Sequence, residues 1–381
     1  MMELPKVLAF IDWYKPFYKA GGPVRSMVNL VEHLQGKVDF HIVTGDRDYT
    51  ASKGSSEVRT NTWVPGDKGE YIRYVSPQAR SLKHWKVLLR ERSWDAVYIN
   101  GLYSKWTTIA PLWILRGSSQ RRIVAVRGML AKGPMRQSAA KKRAFLLAMK
   151  TTGCFKGVEF QATNAEEEAD IRKWIGRDTK VHLVPNLGRH MQPDAIPSIQ
   201  KVPGRLSLVS VARIAPEKNT LFAIERLQGV KGHVRFDLYG TVYDQGYYKQ
   251  CQRAVQQLPS NVEVKFHGHI EQDEVVRVLA EAHVLYMPSV GENFGHTMLE
   301  ALMVGRPLLI SDRTPWKQLE SLGAGWDLPL EEPGAFVRVV DRLTAMDQEA
   351  YDRFGRGAFA LALRYLKDPV TLERSYALFN P

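Results

Sequence analysis

The hydrophobic pattern changes its period once between His283 and Met303, and the break is a glycine-punctuated loop. Apolar residues run without interruption through Val284, Leu285, Tyr286 and Met287 and stop at Pro288. They resume at Met298, Leu299, Ala301, Leu302 and Met303 with the three- and four-residue spacing of a helix. Gly305 and Pro307 follow as a stop signal. Ser289 to Glu300, S-V-G-E-N-F-G-H-T-M-L-E, is therefore a loop between a buried strand and a helix that opens at Thr297. Amides at the start of a helix have no partner within it and carry partial positive charge, so a loop without a side chain at Gly295 offers a site suited to phosphate. Glu292 stands just before that site, and Glu300 lies one turn inside the helix. A carboxylate beside a phosphate pocket is unfavourable unless it accepts hydrogen bonds from hydroxyls, which sugars and riboses supply. The implied ligand is a sugar nucleotide.

A second constellation lies upstream. The alternating, β-branched run from Leu206 to Val211 predicts a strand with Arg213 at its carboxyl end, and Pro216 is placed to begin a helix containing Leu221, Phe222, Ile224 and Leu227. Ligands of open α/β sheets bind at that edge. Arg213 and Lys218 bracket one loop there, a forked donor and a mobile point charge, and together suit a leaving diphosphate. By itself such a pair is also what a solvated loop contains.

Together these stretches resemble the retaining GT-B glycosyltransferases of the family-4 kind, whose nucleotide-binding half carries a glutamate, seven residues and a second glutamate. Glu292 and Glu300 fit that spacing, and the resemblance runs through Gly240, Gly268, Pro288 to Gly305 and Thr314-Pro315-Trp316. It is much weaker before Val184. It implies two doubly wound Rossmann-like α/β domains facing each other across a cleft. It also implies a sugar moved from a nucleotide-diphosphate donor to a glycan or lipid-linked acceptor. Arg213 and Lys218 would neutralise the diphosphate, and His296 and Thr297 would meet it. Glu292, nominated as nucleophile or base by its charge, would by resemblance grip sugar hydroxyls beside the amides of Asn293, Phe294 and Gly295. Glu300 would take the ribose. Gly240 and the His267-Gly268-His269 loop, with His269 on the donor side, would let backbone approach the base. No metal or other cofactor is implied.

The amino-terminal half has its own α/β signature. Val7 to Ile11 reads as a buried strand, and Gly21-Gly22-Pro23 leads into a helix with Val24, Met27, Val28, Val31 and Leu34 on one face. No G-x-G-x-x-G follows the strand, which argues against dinucleotide binding. Gly21 and Gly22 are either a plain turn or, by resemblance, a loop approaching the donor phosphate. Asn100 and Arg127 each follow an apolar strand and are expected on the acceptor side. Many members of the family carry a histidine in this neighbourhood; here Arg127 stands, and no histidine occurs between His84 and His182. His190 reads as a linker residue.

At 381 residues and 44% apolar content the chain exceeds what one core usually holds. The expected organisation is an acceptor-side domain over 1–192, a linker over 193–203, a donor-binding domain over 204–365, and a helix over 366–381 that packs back on the first domain. Cys154 and Cys251 are too few for a disulfide framework. No membrane-length apolar run occurs, and Met1-Met2-Glu3-Leu4-Pro5 is no signal peptide, so a cytoplasmic protein is expected. Asp46-Arg47-Asp48 matches a metal-binding D-x-D and His267 and His269 invite a metal reading, yet a solvated turn explains the first and no third ligand lies near the second in sequence.

Charge is uneven. Residues 1–200 hold 32 Lys and Arg against 18 Asp and Glu, while the remainder hold 21 against 22. No acid occurs between Asp95 and Glu159. Lys141 to Lys150 combines a basic cluster with an apolar run, which suits either an anionic membrane surface or an ordinary helix with a solvated basic side. Nothing resembles a nucleic-acid module. The expected activity is therefore retaining hexosyl transfer in surface polysaccharide synthesis. The rivals are a sugar-nucleotide epimerase or hydrolase of the same fold, and a basic membrane- or nucleic-acid-binding protein.

Overall fold

The computed structural model describes residues 3–136, 138–190 and 195–380. Met1, Met2, Pro193 and Asp194, on which the leader and linker expectations partly rest, lie outside the described residues. The chain divides into two compact units, residues 1–190 with 368–381, and residues 191–367.

In the first unit, strands β1 (Lys6–Phe10), β2 (Asp39–Gly45), β3 (Trp63–Pro65), β4 (Tyr71–Val75), β5 (Ala96–Asn100), β6 (Arg122–Ala125), β7 (Val158–Ala162) and β8 (Val181–Leu183) form one sheet in the order β3-β4-β2-β1-β5-β6-β7-β8. All pairs are parallel except β3 with β4. Period-two alternation divides the central strands between two cores. Leu8 and Phe10 join Trp85, Leu88, Leu112, Leu146 and Met149 on one face, whereas Val7 and Ala9 join Met27, Leu30 and Val31 on the other. The helix Gly22–His33 follows β1 and starts at Gly21, whose φ of +81° and ψ of −130° favour glycine. The chain then adds β2 on one side of β1 and later β5 on the other, so strand order reverses between β1 and β5. The helix Pro369–Ala377 belongs to this unit. Beyond it Phe379 packs edge-on against Phe40 and Tyr98 at 5.3 and 5.2 Å. Burial of Leu378 and Phe379 contributes about 1.5–3 kcal/mol each.

The second unit repeats the doubly wound plan. Strands β9 (Arg205–Val211), β10 (His233–Tyr239), β11 (Val262–Gly268), β12 (Val284–Met287), β13 (Leu308–Ser311) and β14 (Gly325–Leu328) lie in the order β11-β10-β9-β12-β13-β14, all parallel. Order reverses between β9 and β12. Both units are thus Rossmann-like, as expected from the sequence.

One local expectation fails. Pro216 does not start a continuous helix: it opens a 3-10 turn over Pro216–Lys218, and the α-helix begins only at Thr220 and ends at Arg226. Asn219 separates them in the left-handed region (φ 58°, ψ 36°), and its side-chain amide donates to the Pro288 carbonyl at 3.1 Å. That bond ties the loop after β9 to the end of β12. The described part of the expected linker is also anchored. Arg306 donates to the Pro197 carbonyl at 2.9 Å, and buried Lys201 donates to the carbonyls of Thr344 (3.1 Å) and Met346 (2.9 Å). The second unit therefore holds this stretch by hydrogen bonds that no apolar periodicity announces.

Candidate functional site

The loops after β9 and β12 emerge side by side because these strands are neighbours at the point of order reversal, where open α/β sheets hold ligands. The loop after β12 is tied down at several places. Val290 donates its amide to the Glu217 carbonyl at 3.0 Å, Glu292 donates its own to the Arg313 carbonyl at 3.1 Å, and Ser311 Oγ donates to the Ser289 carbonyl at 2.5 Å. Trp316 Nε1 donates to the Phe294 carbonyl at 2.7 Å, and its ring packs with Phe294 and Tyr365. The helix then runs His296–Met303 from Gly295, which is left-handed (φ 79°, ψ 64°). A Cβ at Gly295 would meet the Met298 sulfur at 2.6 Å, so glycine is favoured by conformation, and any other residue would also have to displace the Met298 side chain.

On this frame the structure joins most of the donor-side candidates. Lys218 Nζ lies 2.5 Å from Glu292 Oε1, which also accepts from Ser289 Oγ at 2.9 Å. Arg213 Nη2 pairs with Glu217 Oε1 at 2.9 Å, half exposed, at the end of β9. Thr297 Oγ1 donates to the Val211 carbonyl at 3.2 Å, so the helix start is bonded directly to β9. Glu300 is buried one turn into the helix, where Gln272 Nε2 donates to its Oε1 at 3.1 Å. His296 is buried and stacks edge-on with Phe294 at 4.7 Å. Both carboxylates are held by hydrogen-bond donors, and the loop side chains are fixed before any ligand arrives. Sequence reasoning missed Ser289, Glu217, Gln272 and Trp316, whose partners lie up to tens of residues away; the Thr314-Pro315-Trp316 run was the only local signal for any of them.

The strand-end candidates on the other side of β9 divide. Gly240 (φ 153°) is a packing glycine: a Cβ there would lie 1.9 Å from the Ala212 carbonyl oxygen, and its amide donates to Gly268 at 2.6 Å. Gly268 (φ +78°) has open space where a side chain would be. His267 stacks on Tyr239 at 4.3 Å and bonds Asp237 Oδ1 at 2.6 Å, whereas His269 faces Glu271 at 3.2 Å. The two histidines engage different acids. Among the described residues no group of three His, Cys, Asp or Glu is placed to hold a metal. In the D-x-D, Asp46 is buried instead of solvated and accepts from Arg47 Nε at 2.9 Å, while Asp48 accepts from the amides of Lys19 (3.2 Å) and Tyr49 (2.7 Å).

The first unit has its own polar edge at β1, β5 and β6. Arg127, in the left-handed region (φ 54°), donates to Asn100 Oδ1 (2.7 and 3.1 Å), Asn186 Oδ1 (2.6 Å) and Tyr98 OH (2.9 Å). Burial pushes the Tyr98 phenol up, so it stays protonated and donates onward to Gln161 at 2.5 Å. Asp12, two residues past β1, accepts from Ser104 Oγ (2.6 Å) and Thr107 Oγ1 (2.7 Å). Asn100 and Arg127 are thus brought together, as their positions at neighbouring strand ends imply. Gly21 and Gly22 have open space around their Cα atoms.

Residues 192–360 match the family model Glycosyl transferases group 1. The match falls within the second unit. Among solved structures the chain is similar to the sucrose-phosphate synthase of Thermosynechococcus elongatus, with TM-score 0.72 and 17% identity over 99% of this chain and 98% of that one. It is also similar to HepE of Anabaena in complex with UDP-glucose (TM-score 0.70, 14% identity, 98% of each chain). A third is WaaG, a glycosyltransferase involved in lipopolysaccharide biosynthesis (TM-score 0.67, 12% identity, 98% of each chain). At these identities the likeness establishes the fold, which is GT-B. No curated protein sequence matches the chain.

Proposed function

We propose that the chain is a retaining glycosyltransferase that moves a hexose-type sugar from a nucleotide-diphosphate sugar to a glycan or lipid-linked acceptor in surface polysaccharide synthesis. The observation that carries this is the Lys218–Glu292 pair, 2.5 Å apart, at the sheet edge where the helix of Gly295 and His296 begins. One loop cluster thereby offers a cation, a carboxylate and the amide end of a helix. The amides, Arg213 and Lys218 take the charge that develops on the leaving diphosphate as the bond to the sugar's anomeric carbon breaks. A new bond forms to the acceptor oxygen, whose proton leaves with the diphosphate. Glu292 accepts from sugar hydroxyls and Glu300 from the ribose. Arg213, Lys218 and the helix start supply the positive charge that other enzymes obtain from a metal. The Glycosyl transferases group 1 match and the neighbour caught with UDP-glucose support this reading, and the neighbour involved in lipopolysaccharide biosynthesis supports the acceptor class.

The test is a thermal-shift screen against UDP, GDP, ADP and their sugars, followed by transfer to a lipid-linked or glycan acceptor with the product's anomeric configuration read by NMR. Retention with activity unchanged by EDTA is expected. Inversion, or turnover undiminished without any acceptor, overturns the proposal, as does loss of activity in EDTA that manganese restores.

A further inference from the structure

The two acids beside the donor-site cations are held in different ways. Glu292 is mostly buried and has two donors, Lys218 Nζ at 2.5 Å and Ser289 Oγ at 2.9 Å, and its amide is bonded to the Arg313 carbonyl. Glu217 has a cation alone. Among the described residues its carboxylate is ion-paired only with Arg213, at 2.9 Å, and the two side chains are 40% and 35% exposed. The backbone beneath it is pinned nonetheless: Glu217 lies in the 3-10 turn Pro216–Lys218, and its carbonyl accepts the Val290 amide at 3.0 Å. The carboxylate is thus kept within reach of Arg213 on a side chain that only this pair restrains.

Arg213 and Lys218 each sit against a carboxylate, so the charges of the four groups balance. A diphosphate that reaches the two cations upsets that balance unequally. Glu292 can pass its cation to phosphate because the hydroxyls of a sugar can donate to it instead. Glu217 gains no donor in exchange. Beside Arg213 it would face phosphate charge directly, and like charges a few ångströms apart repel even at the high effective dielectric of a half-exposed site. Its one response is to turn into water, which gives up the pair.

We propose that Glu217 is an internal counter-anion that competes with diphosphate for Arg213 and so determines which anions the site retains. This role rests on the proposed assignment of Arg213 to the leaving diphosphate, and it names the group that opposes that binding. An anion that offers charge alone must displace Glu217 with nothing in return, whereas a nucleotide sugar adds contacts from its base, ribose and sugar hydroxyls. Once the sugar has been transferred, the same carboxylate returns to Arg213 and lowers the affinity for the spent nucleoside diphosphate, whose slow release would hold back turnover. Glu217 needs no contact with the substrate for this. It is a positioning residue that acts through Arg213.

The test is titration calorimetry of the full chain with pyrophosphate, UDP, GDP and ADP, in wild type and Glu217→Gln, repeated in the Arg213→Gln background. Glu217→Gln keeps the shape and removes the charge. It is expected to tighten pyrophosphate, and whichever nucleoside diphosphate binds, by about three- to tenfold, the scale of a half-exposed ion pair and of the repulsion that goes with it. Loss of a merely structural contact would loosen binding instead. In the Arg213→Gln background the same replacement is expected to change affinity by less than about twofold, because the pair it breaks is already gone. Unchanged or weakened diphosphate affinity in Glu217→Gln overturns the proposal, as does equal tightening in both backgrounds. Tightened pyrophosphate with no nucleoside diphosphate bound by either protein supports the role of Glu217 and counts against the transferase reading. A nucleoside diphosphate bound equally by both proteins does the reverse, and no binding of any diphosphate to either overturns both.

Discussion

Both sheets reverse strand order beside a central strand, yet they furnish the reversal differently. In the second unit the cations at that edge sit against carboxylates, Arg213 with Glu217 and Lys218 with Glu292. In the first unit Arg127 donates to neutral oxygens of Asn100, Asn186 and Tyr98, and among the described residues no carboxylate is ion-paired with it. A paired edge can release a cation to a diphosphate while its carboxylate turns to hydroxyls. An edge with a fixed, unneutralised arginine suits an anionic group that need not be distinguished by its hydroxyls. The same topology thus carries two kinds of polar edge, and the difference rests on a handful of partners.

The comparison can be broken at its frame. Gly240→Ala would drive a methyl group into the Ala212 carbonyl and is expected to destabilise the second unit by about 4 kcal/mol or more, read as a lowered denaturant midpoint. A neutral result would mean that the edge is not rigid. Next come the paired cations. Arg213→Ala and Lys218→Ala are each expected to lower kcat/KM by about 2–4 kcal/mol in transition-state stabilisation, and near-wild-type turnover in both would remove the second unit's claim to the chemistry. Glu300→Gln keeps the shape and loses charge-assisted bonds; nucleotide affinity by calorimetry should fall by about 1.5–3 kcal/mol, and Arg127→Ala should leave that affinity unchanged.

The smallest effect concerns pH. Burial lowers the pKa of His283 in the second unit and of His33 in the first, so the unfolded chain takes up protons before the folded one. Stability is then fully present above the ordinary histidine value near 6.5 and is lost as pH falls below it. His283 accepts the Ser207 amide through Nδ1 at 2.9 Å, which requires its neutral form. His283→Gln should flatten the acid limb of a melting-temperature profile, and an unchanged limb would assign it to the first unit.

The β12–loop–helix unit was legible because periodicity and turn chemistry are local, and so were the doubly wound class and the strand ends holding Arg213, Asn100 and Arg127. Gly240 was legible only as a glycine. Its reason, the Ala212 backbone pressed against it, is a contact between strands. The break at Asn219 was hidden because Pro216 is an ordinary helix opener, and what interrupts it is a bond to Pro288 on another strand. Gln272 and Trp316 likewise act through the tertiary pairing of separate loops, which one-dimensional spacing does not encode.

The return of the chain to its first unit at Asp368 sets an order of events during synthesis. Phe40 and Tyr98 emerge early, but Leu378 and Phe379, which cover them, come after the whole of residues 191–367. At 5–20 residues per second the ribosome needs roughly 9–35 s to cross that interval. Throughout it the nascent first sheet exposes a bare aromatic patch, a natural landing place for a chaperone, while the second unit can complete its own core and wait.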